Sequence, residues 1–167
     1  MIDTSHVLIR HVTEADLLAL EWEGEYRKYR RIYRRAMEDA RRGRRILFVA
    51  EIGGEIVGQI FVQLSHYRSN QEHISSTGYL QSFRIKPPFR NHGIGSRLIY
   101  QAEKALKERG FKRAIIAVAQ HNHDARRLYE RHGYSIFRED PGEWSFIDDQ
   151  GLPQHISEPA YLMEKQL

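Results

Sequence analysis

The sequence predicts a single α/β domain over residues 1–167. Its sheet is mixed and mostly antiparallel, with about six to seven strands flanked by about four helices. Three observations carry this expectation. Residues Ile56 to Leu64 alternate, Ile56, Gly58, Ile60, Val62 and Leu64 against Val57, Gln59, Phe61 and Gln63. They follow the Gly53-Gly54 pair, which is the mark of a tight antiparallel hairpin. A strand-like run ending near Ile85 and Lys86 passes through Pro87-Pro88 into a glycine-bearing turn and then an amphipathic segment of helical period. A short apolar run, Ala114 to Val118, leads in the same way into a second helical segment opening at Asn122.

Taken in order, His6 to His11 reads as a first strand. Thr13 followed by Asp16 gives a capping-box order for a first helix. Helical sequence continues in two pieces to about Arg42, with a break at Gly24. Ile46 to Ile52 and the alternating segment form the hairpin, and Ser65 to Ser76 is a polar loop. Gly78 to Lys86 is the next strand. The helix that begins at about Gly95 and ends at Gly110 carries Leu98, Ala102, Ala105, Leu106 and Arg109 along one side. Tyr134 to Arg138 adds a strand. The tail places a turn at Asp148-Asp149-Gln150-Gly151 and a last strand near Ala160 to Lys165.

Composition narrows the function. No run of eighteen apolar residues is present, so no membrane-spanning helix is expected, and Met1 to His6 has no apolar signal core. Zero cysteines exclude disulfides and a catalytic thiol, and a cytoplasmic location is the default expectation. The net charge of +4 conceals an asymmetry: ten of the nineteen residues from Arg27 to Arg45 are Arg or Lys, against Glu38 and Asp39. A solvated helix face, matched in part by Glu21, Glu23 and Glu25, is favoured over a nucleic-acid surface. Nine histidines are present, but His121 and His123 diverge at a helix start and no metal-ligand spacing occurs, so no metal is expected.

The stretch Arg90-Asn91-His92-Gly93-Ile94-Gly95-Ser96 is the most informative. Its glycines let the backbone turn tightly and approach a ligand, and the free amides of the new helix N-terminus favour an anion. A phosphate or pyrophosphate suits that position, with Arg90 adding positive charge at its entrance. Gly95-Ser96-Arg97 lacks the Lys and Ser/Thr of a P-loop, and Leu98 stands where a dinucleotide fold needs its third glycine.

The pattern Arg-x-x-Gly-x-Gly between a strand and a helix resembles the acetyl-CoA loop of the GNAT superfamily of N-acetyltransferases. The downstream Asn122, Ala125, Leu128, Tyr129 and Gly133-Tyr134 resemble that family's second signature, with Tyr134 in place of Phe. Asn122 suits the helix N-cap and Gly133 the left-handed position after its end. The element order matches over nearly the whole chain.

The resemblance implies acyl transfer from acetyl-CoA, as cosubstrate, to a primary amine of a small molecule or a peptide. It implies that amides from Arg90 to Ser96 hold the pyrophosphate and that the backbone of Phe83, Arg84 and Ile85 pairs with the pantetheine arm and supplies an oxyanion donor. A splay between that strand and Ala114–Val118 would hold the thioester. Asn122 would contact the pantetheine or fix the helix start beside it. Tyr129 is the expected general acid for the departing thiolate. Tyr79 to Ile85 carries no carboxylate where many members have a Glu, so the base stays open among Glu21, Glu23, Glu25, Glu51, His73 and a water chain.

The acceptor would lie between Glu21–Arg35 and a late segment from Trp144 to Glu158. These bring opposite charges: the arginines on one side, and Glu143, Asp148, Asp149 and Glu158 on or beside the other. Acceptor identity, acyl-chain preference and a monomeric or homodimeric state stay open. The competing reading is a non-catalytic acyl-CoA-binding module that uses the arginine-rich helix to bind nucleic acid or protein.

Overall fold

The computed structural model describes residues 3–64 and 76–167. The polar stretch 65–75, with His73, lies outside the described residues. The strands are β1 (Leu8–His11), β2 (Arg45–Ile52), β3 (Glu55–Gln63), β4 (Thr77–Ile85), β5 (Arg113–Ala119), β6 (Ser135–Asp140), β7 (Glu143–Ile147), β8 (Pro153–Ser157) and β9 (Ala160–Gln166). The α-helices are α1 (Arg30–Arg41), α2 (Ile94–Glu108) and α3 (His123–Arg131). Seven strands form one sheet in the order β1-β2-β3-β4-β5-β9-β6, and β7 pairs with β8 in a separate hairpin. Within that sheet every pair is antiparallel except β4 with β5.

The first expected helix is not continuous. Residues 14–16 and 19–21 form short 3-10 turns, and a third at 27–29 runs into α1. The Thr13–Asp16 capping box is present, with the Asp16 carboxylate accepting from the Thr13 amide at 2.7 Å. The same carboxylate also accepts from Arg10 at 2.7 and 2.9 Å. The chain then breaks at Trp22, Glu23 and Gly24, all with positive φ (48°, 55° and 101°). Two consecutive non-glycine residues in that region are strained.

The sheet carries a core on each face. Leu98, Ile99, Ala102 and Leu106 of α2 are fully buried against Ile60, Val62, Leu80, Ile116 and Met163. Burying each large aliphatic side chain is worth about 1.5–3 kcal/mol before chain entropy is counted. Gly78 lets α2 lie close to β4, since a Cβ there would meet Leu106 Cδ2 at 2.3 Å. Arg109 does not join this stripe; its guanidinium turns back to the Ala105 carbonyl at 2.9 Å. On the other face Leu20, Tyr33 and Ala36 pack on Leu47, Val49, Ile56 and Phe61.

The alternation read for β3 fails at one end. The β2–β3 register slips between Ala50–Gly58 and Glu51–Ile56, which leaves Val57 as a bulged residue. A bulge inverts the facing of what precedes it. Ile56 therefore joins Phe61, while Val57 joins Ile60 and Val62.

Candidate functional site

The site begins where β4 leaves β5. Their parallel pairing runs from Thr77–Arg113 to Leu80–Ile116 and stops, although both strands continue. The cause is a bulge on β4. Register with β3 jumps from Phe61–Gln81 to Gln59–Arg84, so two residues of β4 oppose one of β3. Ser82, inside the bulge, adopts φ +51°. The strand bends there, as bulges make strands do. The peptide edge from Gln81 to Ile85 then faces an opening instead of β5. Such an edge pairs with any extended amide chain.

The glycine loop sits at the mouth of this opening. Asn91 (φ +63°) and Gly93 (φ +81°) are left-handed, and Gly93 caps α2, which starts at Ile94. Gly95 faces β4: a Cβ there would meet Phe83 Cζ at 3.1 Å and Leu128 Cδ2 at 3.5 Å. The helix start therefore sits against strand and α3 only because position 95 is bare. Asn91, His92 and Gly93 are exposed, whereas Ile94 is buried as the anchor of the turn. Arg90 Nε donates to the Ile85 carbonyl at 2.9 Å, holding an exposed guanidinium beside the loop. Ser96 Oγ lies 2.8 Å from His132 Nε2. Burial, foremost, lowers the pKa of His132, so the ring is neutral at pH 7.

Tyr129 is brought beside Phe83 of β4 by α3. Asn122 caps that helix, its side chain accepting from the Ala125 amide at 3.1 Å. Of the two roles expected for Asn122, this contact fulfils the holding of the helix start. Tyr129 is 6 % exposed, its ring 6.1 Å from Phe83 and 6.4 Å from Tyr134. Burial pushes its phenol pKa up, so the hydroxyl keeps its proton. The Tyr134 hydroxyl, which a Phe would lack, donates to Glu103 at 2.8 Å, and Lys165 donates to the same carboxylate at 2.9 and 3.1 Å.

The other face of β4 holds a second arrangement, around the Arg84 side chain. Its guanidinium carbon lies 3.9 Å from the Tyr26 ring centroid and 5.8–5.9 Å from Trp22, Tyr29 and Tyr33, and it donates to the Tyr33 hydroxyl. Tyr29 meets Phe146 edge to face at 5.1 Å and lies 6.2 Å from Trp144, joining the early segment to the β7–β8 hairpin. Burial raises the Tyr29 pKa, with Arg84 opposing and Glu158 adding to the rise. The two segments expected to flank an acceptor therefore meet.

Sequence reading counted Arg84 for its backbone alone and missed this chamber. A signal existed: Trp22, Tyr26, Tyr29 and Tyr33 fall at i, i+4, i+7 and i+11, an aromatic stripe at helical spacing. Among the base candidates, Glu21 is engaged by Arg30 at 2.8 Å, Glu51 by Arg10 at 3.2 Å and Glu23 by Lys86 at 3.2 Å. Among the described residues no group of three His, Cys, Asp or Glu is placed to hold a metal ion.

The chain has clear counterparts among known proteins. The family described as acetyltransferase (GNAT) matches residues 14–134. The chain belongs to the GNAT acetyltransferase family. It is 30% identical over 91 residues to an N-alpha-acetyltransferase of Sulfolobus acidocaldarius, covering 52% of this chain and 54% of the relative. It is 32% identical over 81 residues to the aminoalkylphosphonate N-acetyltransferase of Salmonella typhimurium, covering 48% and 51%. The chain spans about half the length of the curated relatives it matches. In fold, the GNAT likeness extends over the whole molecule. The ribosomal-protein-alanine N-acetyltransferase of Brucella melitensis superimposes with a TM-score of 0.73 at 21% identity, covering 96% of this chain and 99% of the other.

Proposed function

We propose that this chain transfers an acetyl group from acetyl-CoA directly to a primary amine within a ternary complex. The observation that carries the reading is the loss of β4–β5 pairing beyond Leu80–Ile116, with Gly95 of the glycine turn and Tyr129 both against Phe83 of the unpaired stretch. The residues fit such a cosubstrate: Gly93, with nothing within 4 Å of where a Cβ would stand, leaves the turn open, and the amides that open α2 suit a pyrophosphate.

Acetyl-CoA supplies the acyl group as an activated thioester. The β4 edge from Phe83 to Ile85 aligns the pantetheine arm, and one of its amides stabilises the oxyanion, a contribution of about 3 kcal/mol by analogy with measured oxyanion holes. The amine nitrogen bonds to the acetyl carbon as the C–S bond breaks, and the proton it sheds ends on sulfur. Tyr129 donates a hydrogen bond to the departing thiolate. A phenol held above its ordinary value near 10 does not readily give a whole proton to a thiolate of pKa near 8.5, so the donor role is the stronger one. No carboxylate of β4 is placed to deprotonate the amine, which is the feature that favours the non-catalytic reading.

Calorimetric titration with acetyl-CoA, followed by thiol-release assays on a panel of amines, separates the two. Under the proposal the wild type binds at micromolar concentration and releases thiol. Gly95→Asp, which adds bulk against Phe83 and a negative charge at the helix start, weakens binding by about 100-fold, equal to about 2.7 kcal/mol. Tyr129→Phe binds normally and transfers about 100-fold more slowly. Binding without transfer to any amine identifies a sensor, and no binding by folded protein overturns both readings.

A further inference from the structure

The Arg84 side chain is a cation held among aromatic rings with no carboxylate within 4 Å among the described residues. Its Nε is buried and has no hydrogen-bond partner. A second buried donor of the same chamber, Trp22 Nε1, is also unpartnered. Directly across on β3, in register with Arg84, stands Gln59, 0 % exposed. Its amide nitrogen donates to the Ser82 carbonyl at 3.1 Å and the side chain also engages the Tyr33 hydroxyl, whereas its Oε1 accepts from nothing. Buried polar atoms without partners are uncommon and call for an explanation. Here two open donors, one of them charged, and one open acceptor lie around the bulge that opens the cleft.

Ring faces attract a guanidinium, yet they leave its in-plane N–H donors to other partners; among the described residues Arg84 gives one to the Tyr33 hydroxyl and keeps Nε open. Those donors form a planar fork that matches the oxygens of a carboxylate or a phosphonate. An open amide oxygen matches an amine N–H. We propose that Arg84 selects the acceptor: it holds the carboxylate or phosphonate of an acidic primary amine, with Trp22 as second donor, while Gln59 Oε1 accepts from the amine. The inference rests on the acetyl-transfer reading and names its substrate class. Of the acids in the late segment, Glu158 acts on Tyr29 of this cluster, whereas Asp148 and Asp149 act on Arg31 and Arg30. A neighbouring cation further disfavours the ammonium form, so it helps the amine reach its reactive state without a carboxylate base.

The test measures thiol release from acetyl-CoA with matched pairs: glycine against glycinamide, and 2-aminoethylphosphonate against ethanolamine. The wild type is expected to prefer the acidic member by about 10–100-fold in kcat/KM, the range that a charge-assisted contact supports. Propionate and ethylphosphonate, which carry the acid without the amine, are expected to inhibit competitively against amine and not against acetyl-CoA. In Arg84→Gln the preference collapses toward 1, and Arg84→Lys, which keeps the charge without the fork, restores part of it. The proposal is overturned by equal rates for both members of each pair, by a preference that survives in Arg84→Gln, or by indifference to the two acids. The inhibition arm needs no variant, so a misfolded Arg84→Gln leaves the question answerable. Failure of the acetyl-transfer reading looks different: the wild type then releases no thiol with any amine.

Discussion

Each face of the sheet holds a charged group, one buried and one partly buried, and the two are treated in opposite ways. Under α2, Glu103 is 5 % exposed and fully engaged, by Tyr134 at 2.8 Å and by Lys165 at 2.9 and 3.1 Å. On the opposite face Arg84 has aromatic rings, one tyrosine hydroxyl and an Nε left open. A charge whose lone pairs or protons are all occupied is part of the frame. A charge left short of partners by a fold that elsewhere satisfies them is waiting for one that arrives from solution. Asp16 makes the contrast within the Arg84 side of the molecule: it too is buried, but Arg10 and the Thr13 amide saturate it.

Three measurements break or sharpen this contrast. The largest effect is expected at Glu103. Glu103→Ala strands Lys165 and Tyr134 together and is expected to lower unfolding free energy by about 3–5 kcal/mol in a chemical denaturation series. A loss under about 1 kcal/mol would show that the network is ornamental.

Asp16→Asn is expected to cost about 1–2 kcal/mol at pH 7, allowing for the partial exposure of Arg10. Arg10, first, and the Thr13 amide hold the Asp16 carboxyl at about 2, below its ordinary 3.8. A depressed folded-state pKa gives stability that is complete above about pH 4 and fades as pH falls toward 2. The wild type and Asp16→Asn should therefore converge in stability across that window, and a gap that persists at pH 2 would contradict the pairing.

The smallest effect is expected at Arg84. Replacing an incompletely partnered cation by an apolar side chain of similar length removes a desolvation cost along with its contacts. Arg84→Met should therefore change unfolding free energy by less than about 1 kcal/mol. A loss matching that of Glu103→Ala would make Arg84 a structural residue and remove the contrast.

The two faces also differed in how far they could be read from the chain. The cleft side depends on short contiguous signals, the Arg90–Ser96 turn and the Asn122–Tyr134 segment, and each acts through backbone amides or one helix cap. Local sequence dictates such features. The chamber draws on residues 22–33, 59, 84 and 144–146, brought together only by tertiary packing. The two bulges were illegible for a related reason. Neither Val57 nor Ser82 is a residue type that announces a slip in register, and each position is settled by what the neighbouring strands bury. The break expected at Gly24 is present but reaches back over Trp22 and Glu23, which adopt left-handed backbone that their side chains do not favour; packing of Trp22, 5 % exposed, overrides local preference there.

The early end of β4–β5 pairing has a consequence for solubility. Most sheets keep unpaired edges at their margins, where charges, prolines or short strands discourage aggregation. This sheet has an additional edge in its interior, along Gln81 to Ile85, which no strand among the described residues closes on the β5 side. The bulge at Ser82 blunts it, as bulges do. A bound cosubstrate that pairs along it would cap a sticky margin and, at a hundred times its Kd, add about 2.7 kcal/mol to folding stability. In a cell rich in that cosubstrate, the ligand would then guard the protein against self-association as well as feed its reaction.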